Sequence, residues 1–380
     1  MPGGDVLDER ALLVTRLDRQ RLLKRQQLSV TEAVGYLCAL QSQEPVSPYL
    51  ALWNRIEGFH ADQLDEAYHR RDLVKATLMR MTLHTVTAGD YPAFRAAVRE
   101  SLRGTRWGDR RFAEAGLSQV QIDDLTTDVQ DWLSVPRTSA EIIELLARSH
   151  GDAAGSLWWA LRSTAPIHHV PADDAAWTFS RRPRFGYRDY TECDPEHGTH
   201  ALVLSYLKAF GPAARPDIAR FTKLPVTVIG RSLQHLDAAG LVRTVTGPDG
   251  KPRLDATDAH LADPDQEIEP RLMTMWDSYV MAYADGSVVP AEYKKIVTRI
   301  NGDQLPTLLI DGRVAGLWRV IDGHVEATAF RRLSRSTWAA LTDQATALLG
   351  FLNERDHAPW ARFHHWWDKG IPGDRVRRLG

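Results

Sequence analysis

Two glutamines one residue apart, Gln41 and Gln43, interrupt an otherwise apolar stretch. An amide side chain has one acceptor, two donors and no titratable proton, so such a pair can orient a bound group but cannot act as a general base. The elements that must position them are readable nearby. Ser29-Val30-Thr31-Glu32 has the form of a capping box, which predicts a helix over residues 29–40. Val30, Val34 and Leu37 recur at helical spacing, and the next position on that face is Gln41. On a continuing helix Gln41 and Gln43 would diverge by about 200°, whereas in an extended segment residues i and i+2 share a face. Pro45 biases Glu44 away from helix, so the extended form is expected, with both amides facing one cleft and Thr82, Leu83 and His84 close by. A plainer role competes: Gln41 capping the helix end and Gln43 pairing with backbone.

The remaining composition excludes more than it suggests. The chain has 380 residues, enough for two to four domains, and a formal charge of -2 that argues against a uniformly basic nucleic-acid binder. Cys38 and Cys193 are too few for a disulfide framework or thiolate metal site and fit a reduced cytoplasm. No signal core or membrane-spanning run is present in the sequence, so neither export nor a membrane partner is expected. There is no phosphate-binding glycine loop, dinucleotide fingerprint, paired-histidine zinc helix or nucleophile elbow. The adjacent pairs His168-His169 and His364-His365 lack a third group, so no metal is expected, and Asp173-Asp174 reads as a solvated turn.

The order of elements predicts the architecture. Around the glutamines, three helices precede a strand pair within residues 73–87, the order of a winged helix-turn-helix. A second run opens on the capping box Thr138-Ser139-Ala140-Glu141 and ends in strand-like pieces around Val170 and Trp177. A third ends in a hairpin turning at Gly247-Pro248-Asp249-Gly250. Beyond Asp265 the pattern becomes mixed, with Asp311-Gly312 supplying a tight hairpin turn. The expected fold class is mixed α and β, mainly α: three tandem winged helix-turn-helix units plus a C-terminal α/β region with a small antiparallel sheet. The expected boundaries are 1–118, 119–198, 199–265 and 266–380.

Longer motifs narrow the function. Ala39-Leu40-Gln41-Ser42-Gln43, the stretch from Leu73 through Thr82-Leu83-His84 to Val86, Trp276-Asp277-Ser278-Tyr279 with Tyr283, and Asp311-Gly312-Arg313-Val314-Ala315-Gly316-Leu317-Trp318-Arg319 resemble the AlkZ and YcaQ family of bacterial winged-helix DNA glycosylases. The likeness extends over about residues 10–335. Gln-x-Gln, rather than Gln-x-Asp, resembles the AlkZ-like branch; the middle residue, commonly apolar in the family, is Ser42 here.

The resemblance implies a concave face for double-stranded DNA and hydrolysis of the N-glycosidic bond of cationic alkylated purines, N7-alkylguanine and N3-alkyladenine, with bulky adducts and interstrand crosslinks in scope. Gln41 and Gln43 would be the catalytic pair, acting with water and no cofactor. A monofunctional enzyme is expected, since Lys75 is the only lysine near the motif and its strand position suits a phosphate contact better than a Schiff base. Further DNA-contact candidates are Arg80, His84, Arg95, Arg99, Arg103, Arg181, Arg182, Lys251, Arg313 and Arg319. The Lys251 wing and the Asp311-Gly312 hairpin compete as groove-entering elements. A cytoplasmic monomer, nucleoid-associated when bound to DNA, is expected. The alternatives are a non-catalytic DNA-binding regulator on the same fold and a scaffold using its wings for protein contacts.

Overall fold

The capping box at Ser29 forms in the computed structural model, which describes residues 6–110, 116–180 and 182–380. Ser29 Oγ accepts the Glu32 N–H at 3.3 Å and the Glu32 carboxylate accepts the Ser29 N–H at 2.9 Å. After helix α1 (Glu9–Arg19), the capped helix α2 spans Val30–Tyr36. It is shorter than its apolar stripe predicts. Cys38 adopts a left-handed conformation, φ 63°, which turns the chain out of the helix and into strand β1 (Leu40–Gln41). The stripe therefore does not run on to Gln41; strand pairing takes that residue instead.

Helices α3 (Ser47–Trp53) and α4 (Ala61–His69) follow, then strands β2 (Leu73–Thr77) and β3 (Leu83–Thr87). The sheet order is β1-β3-β2, so β3 is central and both its neighbours run antiparallel to it. The same order recurs. In the second unit helix Gln119–Trp132 precedes β4 (Arg137–Thr138), helices Ser139–His150 and Ala154–Thr164, and strands β5 (Ile167–Val170) and β6 (Arg184–Tyr187), in sheet order β4-β6-β5. In the third, helices Pro195–Phe210, Arg215–Thr222 and Val226–Ala238 lead into β7 (Val242–Thr246) and β8 (Pro252–Ala256), with Ala213 bridging Leu254 in place of a first strand. The chain is thus mixed α/β and mainly helical, with small antiparallel sheets consistent with winged-helix-like units.

One expected strand moves. Trp177 lies outside the second sheet, and the strand after Val170 is Arg184–Tyr187. The indole is used elsewhere: it is buried in the core of the first unit, 4.9 Å between centroids from Tyr49.

The C-terminal region is an antiparallel sheet of β9 (Arg271–Met273), β10 (Thr307–Ile310), β11 (Arg313–Ile321), β12 (His324–Ala329) and β13 (Arg375–Leu379), covered by helix Arg335–Asn353. Asp311 and Gly312 both take positive φ, 51° and 75°, as a two-residue hairpin turn requires. This tip does not project. Tyr279 donates to the Gly312 carbonyl at 3.0 Å, and a Cβ at Gly312 would lie 2.8–2.9 Å from Leu17 and Leu13 of α1. The Asp311-Gly312 hairpin tip is thus packed against α1.

Among the described residues two large apolar cores stand beside a small cluster of Leu7, Leu12 and Val245. The first unit, the third unit and the C-terminal sheet share one continuous apolar interior. The second unit has its own, built on Val129, Leu133, Ile142, Leu146, Leu157 and Leu161. Helix α5 (Tyr91–Trp107), which precedes the second unit, packs along Pro195–Phe210, which follows it, with Gly198 seated against Ala93, Ala96 and Ala97. Among the described residues, no helix is long and apolar enough to cross a membrane and no cluster of three His, Cys, Asp or Glu could hold a metal ion.

Candidate active site

Strand register decides which way each motif residue faces. Leu40 lies opposite Thr85 and Gln41 opposite His84, and the Ser42 N–H continues the pairing onto the Leu83 carbonyl at 2.7 Å. Because successive residues alternate, Gln41 points to one face of the sheet and Ser42 to the other; the strand ends at Gln41, and Gln43 follows in a bend rather than in the expected extended segment. On its face, Ser42 Oγ lies 2.6 Å from Thr85 Oγ1, which in turn lies 2.5 Å from the Tyr68 hydroxyl. This buried chain of hydroxyls, with the Leu40 carbonyl accepting from Ser42 Oγ at 3.1 Å, satisfies Ser42 within the fold. Ser278 Oγ adds a support from the C-terminal region, donating to the Ala39 carbonyl at 2.7 Å.

On the opposite face the structure brings together Gln41, Arg80 and His84. Gln41 is buried, and its Oε1 accepts Arg80 Nη2 at 2.7 Å. The same Nη2 lies 3.0 Å from His84 Nε2, while Nη1 donates to the Phe221 carbonyl at 2.6 Å. The guanidinium also sits 4.8 Å over the Phe221 ring. His84 Nδ1 faces the Thr82 carbonyl at 3.0 Å, so Nδ1 must carry the proton and Nε2 must accept from Arg80. Burial, reinforced by the Arg80 charge, holds the His84 pKa well below its ordinary value and keeps the ring neutral. Burial also pushes the Arg80 guanidinium down to about 10, with Arg220 adding to the shift, and Arg80 remains charged at neutral pH.

Gln43 differs from its partner. Its side chain is exposed and its Oε1 accepts the Leu83 N–H at 3.4 Å, the long edge of hydrogen bonding. The plainer role, an amide satisfying backbone, therefore applies in part to Gln43, while Gln41 caps no helix and bonds a side chain.

The basic candidates mostly face inward. Lys75 is 3% exposed, with Nζ 4.2 Å above the Phe179 ring, and burial lowers its pKa to about 7. Its ammonium is enclosed by the fold rather than presented at the surface, as its strand position leads one to expect. His84 is likewise fully buried. Arg95 donates to the Thr164 carbonyl at 2.6 Å, Arg99 lies 3.4 Å from Glu100 and Arg103 pairs with Asp123 at 3.0 Å. Together these three line a cleft of about 450 Å³ with Tyr91, Arg188 and Tyr190, away from the glutamines. Arg313 pairs with Glu9, and Arg319 is held by Glu326 at 2.7 Å. Arg182 and Lys251 are exposed, the latter 3.8 Å from Asp249; Arg181 lies outside the described residues.

Sequence reasoning missed Phe221, Tyr68 and Thr85. Phe221 stands in the third unit, 141 positions beyond Arg80, and reads from its spacing as an ordinary core residue.

Comparisons with known proteins bear on the family and the fold. The family model described as DNA glycosylase AlkZ-like matches residues 34–351. The interstrand DNA cross-link repair glycosylase of Streptomyces sahachiroi is 25% identical over 354 residues, 88% of this chain and 94% of that one. The solved structure of Streptomyces sahachiroi DNA glycosylase AlkZ superposes with a TM-score of 0.77 at 20% identity, covering 93% of this chain and 98% of that chain, a likeness of fold. With the family model spanning most of its length and the Gln-x-Gln strand held as described, the chain belongs to the AlkZ-like family of DNA glycosylases.

Proposed function

We propose that this DNA glycosylase excises cationic alkylated purines, N7-alkylguanine and N3-alkyladenine, from double-stranded DNA by using Gln41 and Gln43 to place the attacking water. The observation that supports the reading is a buried amide, Gln41, held by Arg80 beside a neutral His84, with the Gln43 amide two residues on and, among the described residues, no base bonded to either. The only imidazole bonded there, His84, has its one free lone pair occupied by Arg80. A site built this way orients a nucleophile and does not deprotonate it. It suits a substrate that is already activated. An N7- or N3-alkylated purine carries a positive charge, so when the bond from C1′ to the base breaks, the base takes the electron pair and leaves neutral. Water adds its oxygen to C1′ and its surplus proton passes to solvent. Amide dipoles beside C1′ also favour the oxocarbenium-like charge that develops there.

The wider reading has three tandem winged helices, divided near residues 118, 198 and 265, around a concave DNA face. Arg182 and the Lys251 wing, both exposed, are the favoured phosphate contacts. The printed name of the Streptomyces relative extends the proposal to bulky adducts and crosslinks. The exposure of Gln43, beside the buried Gln41, supports that scope. The protein acts as a monomer without cofactor, in repair or in self-resistance to a DNA-alkylating natural product.

The test is incubation with a duplex carrying one N7-methylguanine, followed by alkali. Scission at the lesion is expected for the native protein. Replacing both glutamines, Gln41→Ala with Gln43→Ala, should abolish scission while duplex binding persists. Full excision by that double variant would remove the pair from the mechanism, and a borohydride-trapped adduct would replace hydrolysis with Schiff-base chemistry.

A further inference from the structure

We infer that Arg80 is a positioning residue that divides labour between the two glutamines, fixing Gln41 as a hydrogen-bond donor and leaving Gln43 as the acceptor. The inference rests on the reading of the pair as the active site. A glutamine amide can turn either its oxygen or its nitrogen toward a neighbour, since the two ends are nearly alike in size. A guanidinium removes that freedom because it has donors and no acceptor. With Arg80 Nη2 at 2.7 Å, only Oε1 of Gln41 can face inward, and Nε2 is turned the other way, with no partner among the described residues. Gln43 keeps a spare acceptor, because the Leu83 N–H engages its carbonyl at only 3.4 Å and uses one of two lone pairs. One amide is therefore set to hold an oxygen of the sugar or of water, and the other to accept a water hydrogen.

The backbone and the burial of Arg80 both point to a selected orientation rather than a chance contact. Arg80 and Met81 both adopt left-handed φ, 55° and 56°, a conformation unfavourable to non-glycine residues. This double reversal between β2 and β3 aims the Arg80 side chain across β3 at Gln41. The Nε atom of Arg80 is buried without a hydrogen-bond partner, a second penalty at the same residue. The guanidinium is held in its plane by the Phe221 ring and carbonyl and by neutral His84. Phe221 lies in the helix Arg215–Thr222, so the orientation of the Gln41 amide depends on the third unit being seated.

Single-turnover excision of N7-methylguanine, measured beside duplex affinity, tests this. Gln41→Glu keeps an acceptor for Arg80 and removes the outward donor; its excision should fall as far as that of Gln41→Ala, with thermal stability equal to or above the parent. Arg80→Met frees the amide to rotate and should slow excision about 10- to 100-fold, the scale of a misplaced group, with the duplex Kd within about threefold. Arg80→Lys, which also offers only donors, should restore part of the rate. Excision by Gln41→Glu near the parent rate, or normal excision by Arg80→Met, would overturn the inference. If Arg80→Met does not fold, Gln41→Glu alone decides, since it leaves Arg80 paired. The two readings separate cleanly. Full activity in the Gln41→Ala, Gln43→Ala double variant sinks the pair itself, whereas an inactive Gln41→Ala beside an active Gln41→Glu sinks only the orientation.

Discussion

A lysine ammonium enclosed by a phenylalanine ring and a sheet gives up its proton far more readily than one in water. Lys75 is in that position, its pKa lowered to about 7 by burial against the opposing pull of Glu44. In the unfolded chain the same lysine titrates near 10.4. Between these values the unfolded state binds more protons, so the lysine's destabilisation is fully present at and below about pH 7 and fades as pH rises toward 10. Lys75→Met should therefore raise stability by on the order of a few kcal/mol at pH 6.5, and by much less at pH 9.5. Urea unfolding of parent and variant at both pH values measures this, and a gain that grows with pH would contradict it. It sits in register with Thr85 on the hydroxyl-bearing side of the sheet, opposite to Gln41.

At the scale of elements, the hairpin of β10 and β11 makes the sharpest demand on its sequence. Gly312→Ala places a methyl 2.8 Å from Leu17 at φ 75° and should cost about 1–3 kcal/mol, the range for strained backbone and overpacking. Trimming Leu13 to alanine in the same chain should return part of that loss, so the two changes are expected to be non-additive in denaturant melts. The turn itself was legible in the dipeptide Asp311-Gly312; its docking onto α1 was not, because contact between residues 17 and 312 leaves no local trace. The motif shows the same boundary. Capping chemistry at Ser29 follows from local pattern, and the family likeness named the glutamine pair; the expected extended segment reaches only Gln41, with Gln43 in the bend beyond it. The helix end and Trp177 misled for the opposite reason: apolar residues at helical or strand spacing were recruited by β3 and by the core of another unit. Nearly every arginine offered as a DNA contact had a carboxylate or carbonyl waiting in the fold, which charge patterning alone cannot see.

Across the whole molecule, the strap between the first unit and the C-terminal region is a buried ion pair. Arg55, at the end of α3, meets both oxygens of Asp277 at 2.9 Å, and neither side chain reaches solvent. Such a pair is expensive to break on one side because the other charge is stranded. Asp277→Ala should cost about 3–5 kcal/mol, whereas Arg55→Met with Asp277→Leu should recover most of it; equal losses in the single and double variants, followed by chemical denaturation, would refute the strap. Ser278, the next residue, bonds the Ala39 carbonyl, so the strap lies directly beneath the glutamine strand. The second unit has an interior of its own, yet its Trp177, Thr178 and Phe179 are lodged against Tyr49 and Tyr68 of the first unit. In evolutionary terms it is no detachable guest. Tyr68 also closes the hydroxyl chain behind Ser42, so a lineage that enlarged, trimmed or exchanged this unit would have to rework the support of the strand that holds Gln41.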